Sequence, residues 1–177
     1  ADLIKAGLAD TIVTAHVFNS KLDPDYPATL SKPTITGLLR GETKYLSQMA
    51  NPTLAKLLQQ IKLDYDGVVF SDDMQMKAIT DHYGFKTAIR QAIDAGVDVI
   101  MLGNNVETFD EGIATRATTI IKQLIQEGIL SEARINQSYQ RIRRLKNRLV
   151  TPPWICLTPS LFWKSIVQRI FIGKPDE

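Results

Sequence analysis

Three short apolar runs recur along the chain, each introduced by a helical turn and a glycine and each ending on polar residues. The first lies in IKAGLADTIVTAHVFN (residues 4–19) and predicts a strand over 11–18. The second lies in LDYDGVVFSDD (63–73), with a strand over 67–70, and the third in IDAGVDVIMLGNN (93–105), with a strand over 97–102. The first and third runs follow Ala-Gly, as expected where a helix closes on a left-handed glycine. Their strands are nearly continuous Val, Ile, Met and Leu, which implies burial on both faces and hence parallel pairing.

Between the strands, apolar residues return at helical spacing. Residues 29–40 predict a helix with Ser31 as N-cap and Pro33 in the first turn. Residues 52–61 predict a second, with Leu54, Leu57, Leu58 and Ile61 on one face. Helices over 85–95 and 109–127 follow the next two strands. Residues 131–149 are amphipathic, with Ile135, Tyr139, Ile142 and Leu145 on the apolar side and Arg and Lys opposite. The repeating βα order predicts a parallel α/β architecture.

Three βα units cannot close an eight-stranded barrel. The chain therefore reads as a small open sheet or as part of something larger. The opening ADLIKAG, without Met and already helical, is the start expected of a truncated or processed chain. Either way the edge at Thr11 is expected to be bare, which invites self-association. The tail, 150–177, changes character at Thr151-Pro152-Pro153 and then spaces Leu161, Phe162, Ile166, Val167, Ile170 and Phe171 as a helix would. It reads as a helix packed on the domain or a partner; Lys164 and Arg169 are too few basic residues to support a membrane-surface anchor.

Charge removes some functions. The 177 residues carry 21 basic and 19 acidic side chains scattered in both signs, which gives no electrostatic footprint for nucleic acid. A single Cys156 and two histidines, His16 and His82, exclude a disulfide framework and make a thiolate or histidine metal centre unexpected. No metal or organic cofactor is implied. No run approaches the roughly 18 apolar residues that span a membrane, and no signal-like segment opens the chain, so a cytoplasmic location is expected.

The candidate chemistry lies where the second strand ends, at Ser71-Asp72-Asp73. Buried strands usually stop at Gly, Asn or Pro, and carboxylates at the carboxyl end of a parallel strand are where α/β proteins place their chemistry. An ordinary alternative for Asp72 is capping a helix that begins near Met74. A phosphate-binding barrel is disfavoured, because the loops after the second and third strands read SDDMQM and GNNVETF, acidic and without a glycine-rich anion nest.

TAHV (14–17), LDPDYPATLS (22–31), ITGLLR (35–40), DGVVFSDDMQMKAI (66–79) and IDAGVDVIML (93–102), in this order, resemble glycoside hydrolase family 3 and, within it, the bacterial β-N-acetylhexosaminidase branch. The resemblance covers residues 1–149. It implies a (β/α)8 TIM-type barrel, with the units here matching its last three and the earlier ones lying before Ala1. It also implies retaining hydrolysis of β-glycosides, most readily terminal N-acetylglucosaminides such as peptidoglycan fragments, with Asp72 as nucleophile. The branch's acid/base, a His assisted by an Asp, would precede Ala1; neither His16 nor His82 matches it.

Residues 41–65 stand as an insertion relative to the family, either an extra surface helix or damage to the reading frame. A non-catalytic, partner-binding remnant of such a barrel is the alternative function. Besides Asp72, four residues are candidate substrate contacts, each with a structural alternative. His16 would touch sugar or bond neighbouring backbone. Asp73 would touch sugar or orient the loop and helix that come after it, since side chains alternate along a strand. Met76 would line the pocket or pack, as would Met74. Asn104 would donate to a hydroxyl or serve as a turn residue.

Overall fold

The computed structural model describes residues 1–150 except Ala50 and Lys62. The expected tail helix beyond them lies outside the described residues. The chain divides into two units, Ala1–Leu145 and Lys146–Glu177, and the sheet belongs to the first.

In chain order the elements are α1 (Asp2–Lys5), β1 (Thr11–Val13), a 3₁₀ turn (Ala28–Leu30), a π-helix (Pro33–Leu39) and a 3₁₀ helix (Thr43–Gln48). They continue with α2 (Pro52–Gln59), β2 (Val68–Asp73), α3 (Lys77–Tyr83), α4 (Phe85–Ala95), β3 (Val99–Met101), α5 (Ile113–Gln126) and α6 (Glu132–Val150). The three strands form one parallel sheet in chain order, β1-β2-β3. Thr11, Ile12 and Val13 pair with Val68, Val69 and Phe70, and Phe70 pairs with Val99. The expected parallel α/β sheet is therefore present.

Helices pack onto this sheet through two apolar clusters. One gathers Leu30, Ile35, Val69, Met74, Ile79, Ala88, Ala92 and Val97; the other joins Ile89 and Ile93 of α4 to Ala117 and Leu124 of α5 and to Leu130. Two glycines turn helices into strands as the sequence implies, Gly7 at φ +69° and Gly96 at φ +121°. A side chain at Gly96 would also strike Thr36 Oγ1 and Ile35 Cγ2, so the turn and the close packing demand the same residue.

Several elements differ from the sequence reading. The first strand is paired only over Thr11–Val13, not to residue 18, because the chain then crosses the tip of β2. The third is shorter than 97–102, and at its entry the Asp98 carboxylate takes the Val69 N–H. The second runs further than expected, through Asp73.

The helix expected over 29–40 is a 3₁₀ turn followed by a π-helix, in which Arg40 N–H reaches back five residues to Ile35 O. Pro33 supplies no N–H to the regular ladder, and Gly37 lets Leu46 approach to where its Cβ would be 3.0 Å away. Lys32, not Ser31, holds the N-cap position, though Ser31 Oγ accepts from Thr34 N–H at 3.2 Å.

Leu57 of α2 and Ile61, just past its end, are exposed rather than on a buried face. Ala55, Leu54 and Leu58 instead pack with Leu46 and Met49 and with Leu22 and Leu38, so segment 41–65 shares a small apolar cluster with the residues before it. On α6, Tyr139 is exposed while Arg134 and Arg141 turn inward.

Those arginines meet a buried acid at the amino end of the sheet. Asp98 has 0% of its side chain exposed and Arg40 5%. Asp98 Oδ2 lies 2.7 Å from Arg40 Nη2, its Oδ1 accepts from Ser138 Oγ at 2.7 Å, and Arg134 and Arg141 stand at 3.4 Å. Arg40 also donates to the carbonyls of Tyr65, Gly67 and Gly96, and Arg134 to those of Ile93 and Val97. This staple fixes α6 and the π-helix beneath β2 and β3, leaving the opposite ends of the strands for the loops that carry the candidate chemistry.

Both outer edges of the sheet lack a strand partner among the described residues. Apolar side chains beside β1 are open to solvent, Val13 at 60% and Phe18 at 52%. Among the described residues no helix is long and apolar enough to cross a membrane.

Candidate active site

β2 ends in an irregularity that the sequence did not reveal. Phe70 pairs with Val99 and Asp73 with Met101, so three steps along β2 oppose two along β3. The extra residue makes a bulge, a device that re-aims side chains at sheet ends. Ser71, fully buried, takes over a ladder position with its side chain: its Oγ accepts the Met101 N–H at 2.8 Å.

Asp73, two residues on, also turns to β3. Its Oδ1 accepts from Gly103 N–H and from Gln75 N–H, both at 3.0 Å. Asp72 stands between these two anchored neighbours, and its side chain makes no bond to β3 among the described residues. Its Oδ1 accepts the N–H of Asp73 at 2.8 Å, and its Oδ2 has no hydrogen-bond partner among the described residues.

The capping alternative for Asp72 finds no support in this geometry. α3 begins at Lys77 with Met76 as its N-cap and without a side-chain cap bond. The turn before it is held by Asp73, through Gln75 N–H, and by Met76 N–H to Asp73 O at 3.1 Å. Both carboxylates are half-buried; that of Asp73 accepts two backbone bonds and that of Asp72 one, and each keeps an Oδ2 without a hydrogen-bond partner among the described residues.

The remaining candidates surround this point in different ways. His16 arrives from the segment after β1 with both ring nitrogens engaged: Nε2 lies 2.9 Å from Asp73 O and Nδ1 3.0 Å from Thr29 Oγ1. Asn104, in the left-handed region at φ +51°, donates its N–H to Gln75 Oε1 and braces Asp110 through both ends of its amide. Of the paired alternatives, the structure therefore places His16, Asp73 and Asn104 in the backbone-holding arrangement; a sugar contact through His16 would require breaking one of these bonds. Met76 is 45% exposed beside the turn, whereas Met74 is wholly buried in the core. His82 sits exposed in the last turn of α3.

Two contributors were missed by sequence reasoning. Ser71 was read as part of a motif and not as a bonding residue. Gly103 drew no reading of its own, yet a Cβ there would lie 2.6 Å from Asp73 Oδ2, so the close approach of the backbone after β3 to the acid needs a residue without a side chain. Among the described residues no group of three or more His, Cys, Asp or Glu could hold a metal ion.

A free carboxylate at the carboxyl end of a parallel strand, rigidly flanked, can act as a nucleophile or stabilise developing positive charge. Comparison with known proteins bears on which. The family described as "Glycosyl hydrolase family 3 N terminal domain" matches residues 1–145. The chain belongs to glycosyl hydrolase family 3.

Family 3 relatives include a "Beta-hexosaminidase" of Alkalilimnicola ehrlichii, 28% identical over 90% of this chain and 35% of that protein. A "Beta-hexosaminidase" of Tolumonas auensis is 31% identical over 59% of this chain and 25% of its own length. Among solved structures, a glycoside hydrolase family 3 β-N-acetylglucosaminidase from Paenibacillus sp. superposes with a TM-score of 0.62 at 28% identity, covering 88% of this chain and 25% of that one. The chain thus spans between a quarter and about a third of the length of these relatives.

Proposed function

We propose that the chain carries the nucleophile of a retaining β-glycoside hydrolase acting on terminal N-acetylglucosaminides, peptidoglycan fragments among them. The observation that carries this reading is Asp72, a carboxylate with one free oxygen fixed between two anchored neighbours at the tip of a parallel strand. The chain's kinship with β-hexosaminidases supports the substrate class.

In this reading Asp72 Oδ2 attacks the anomeric carbon, the leaving-group oxygen takes a proton, and a glycosyl ester forms. Water then attacks the same carbon and releases the sugar with its configuration retained. Attack requires the ionised carboxylate, and the single bond from Asp73 N–H orients it without consuming its second oxygen.

The acid/base that protonates the leaving group lies outside these 177 residues. His16 has both nitrogens committed and His82 points to solvent from α3. The three βα units form the closing part of a (β/α)8 barrel, whose other units cover the exposed flank of β1. A non-catalytic, partner-binding role remains the competing reading.

Asp72→Asn in the full-length protein decides between them. The substitution keeps shape and removes the attacking charge, so kcat should fall roughly 10⁴–10⁶-fold with little change in sugar affinity. A mechanism-based 5-fluoro-N-acetylglucosaminyl fluoride, which keeps the 2-acetamido group, should label the Asp72 peptide. Labelling of a different carboxylate, or an Asp72→Asn enzyme of near-normal activity, would sink the assignment.

A further inference from the structure

We propose that His16 is a positioning residue for Asp72, the imidazole link in a side-chain strap that replaces β1–β2 pairing across the bulge. The inference rests on the nucleophile reading of Asp72. Backbone pairing between β1 and β2 stops at Phe70, where Thr14 N–H donates to Phe70 O at 2.9 Å. Beyond that point the β1 side of Asp72 is secured by side chains. Thr14 Oγ1 lies 3.2 Å from Phe70 O and 3.0 Å from Thr29 Oγ1, Thr29 Oγ1 lies 3.0 Å from His16 Nδ1, and His16 Nε2 lies 2.9 Å from Asp73 O.

Both ends of this strap land on β2 backbone, at Phe70 and Asp73, the two residues that bracket the bulge. Ser71 and Asp72 are the residues spanned. On the β3 side the same stretch is held by Ser71 Oγ and Asp73 Oδ1. Asp72 is thus centred between a strap on one side and two side-chain anchors on the other, and its direction depends on both.

The chemistry fixes one proton. Asp73 O can only accept, so His16 Nε2 must carry hydrogen. Thr29, fully buried, can donate to Nδ1 while accepting from Thr14, whose oxygen also lies within reach of Phe70 O. A rigid ring with nitrogens at opposite ends suits a span that no hydroxyl could reach. With both nitrogens bonded to protein, His16 acts on the reaction through the Asp73 peptide and not by touching sugar.

The test uses the full-length enzyme. Nitrogen-15 spectra of the His16 ring should show Nε2 protonated; a ring protonated at Nδ1 alone would overturn the strap. His16→Phe removes both bonds and should slow both kcat and fluorosugar labelling of Asp72 by about 10²-fold, with KM changed less than about twofold, because misplacement of a reacting group by about 1 Å costs that much. His16→Gln, whose amide can still donate to Asp73 O, should recover part of the rate. Should His16→Phe not fold, Thr29→Val keeps the shape and removes the relay, and the same kcat loss in smaller measure is expected.

Wild-type labelling and kcat in His16→Phe, or in Thr29→Val where it stands in, overturn this inference alone. So does a Gln variant no better than Phe. Labelling of a carboxylate other than Asp72 in the wild-type enzyme overturns the nucleophile reading, and this inference with it.

Discussion

Removing the Asp98 carboxylate should be the most damaging single change at the amino end of the sheet. Asp98 has no exposed side-chain surface, and its four side-chain partners are Arg40, Arg134, Arg141 and Ser138, besides Val69 N–H. Burial pushes the Arg40 and Arg134 guanidinium groups below their ordinary values, and Asp98 is the charge that most opposes that trend. Arg40 Nε is buried without a partner among the described residues, so little compensation is at hand when Asp98 goes. Breaking a buried pair from one side costs about 3–5 kcal/mol. That is a large part of the roughly 5–15 kcal/mol that holds a domain folded.

Asp98→Ala and Asp98→Asn should therefore both lower the urea midpoint, read by far-ultraviolet circular dichroism at pH 7, by amounts equivalent to this loss. The dependence on pH adds a signature. Burial alone would raise the Asp98 pKa, but Arg40, the Ser138 hydroxyl, Val69 N–H and Arg141 together outweigh it and leave the carboxyl below its ordinary range. The folded pKa is thus below the unfolded one. The stabilisation is complete above the unfolded value of about 3.9 and fades as pH falls through the folded value. The gap between wild type and Asp98→Asn should narrow in that acid window. A loss under about 1 kcal/mol at pH 7, the size of an exposed pair, would refute the reasoning, as would a gap indifferent to acid.

Two further changes probe the site's supports. Gly103→Ala would place a Cβ 2.6 Å from Asp73 Oδ2, so the carboxylate must move off Gly103 and Gln75 N–H. A cost of about 1–3 kcal/mol in thermal unfolding and slower labelling of Asp72 are expected, and a variant normal in both would contradict the account. Ser71→Ala leaves Met101 N–H without its acceptor and should cost about 1–3 kcal/mol in the same melt. An unchanged melting temperature would mean that the bulge does not need the hydroxyl.

The three strands and most helices were legible because continuous apolar runs and helical spacing report burial, and burial is what these elements share. Phe85–Ala95 was readable residue for residue, since glycines close it at both ends. The bulge was not legible. A period-two reading of VVFSDD assumes one residue opposite one, and only the pairing partner reveals that β2 carries a residue too many. Asp98 was hidden for a related reason: an acid inside GVDVIML looks like a tolerated interruption unless its partners are known, and these come from Arg40 and from α6. Basic residues on α6 were assigned to solvent because charge usually is. Two of them join Arg40 on one buried acid, which breaks the pattern by long-range geometry.

At the carboxyl ends of the strands the candidates separate by the bonds they have already made. Sequence could pair each of His16, Asp73 and Asn104 with two roles, because each side chain can bond backbone or sugar equally well. Distances show the protein partners each has taken: His16 on Asp73 O and Thr29, Asp73 Oδ1 on Gln75 and Gly103, Asn104 on Asp110. Asp72 accepts a single hydrogen bond to Asp73's two, and the Oδ2 of each lacks a partner among the described residues. Polar groups inside folded proteins are generally satisfied, and Asp72, with one backbone bond to Asp73's two, is the less committed carboxylate and the one proposed above as the reacting group. The scaffold supports that inference from both directions. The Asp98 staple holds the strands' amino ends, where movement would be transmitted along β2, and the side-chain strap holds the carboxyl ends, where backbone pairing has already stopped.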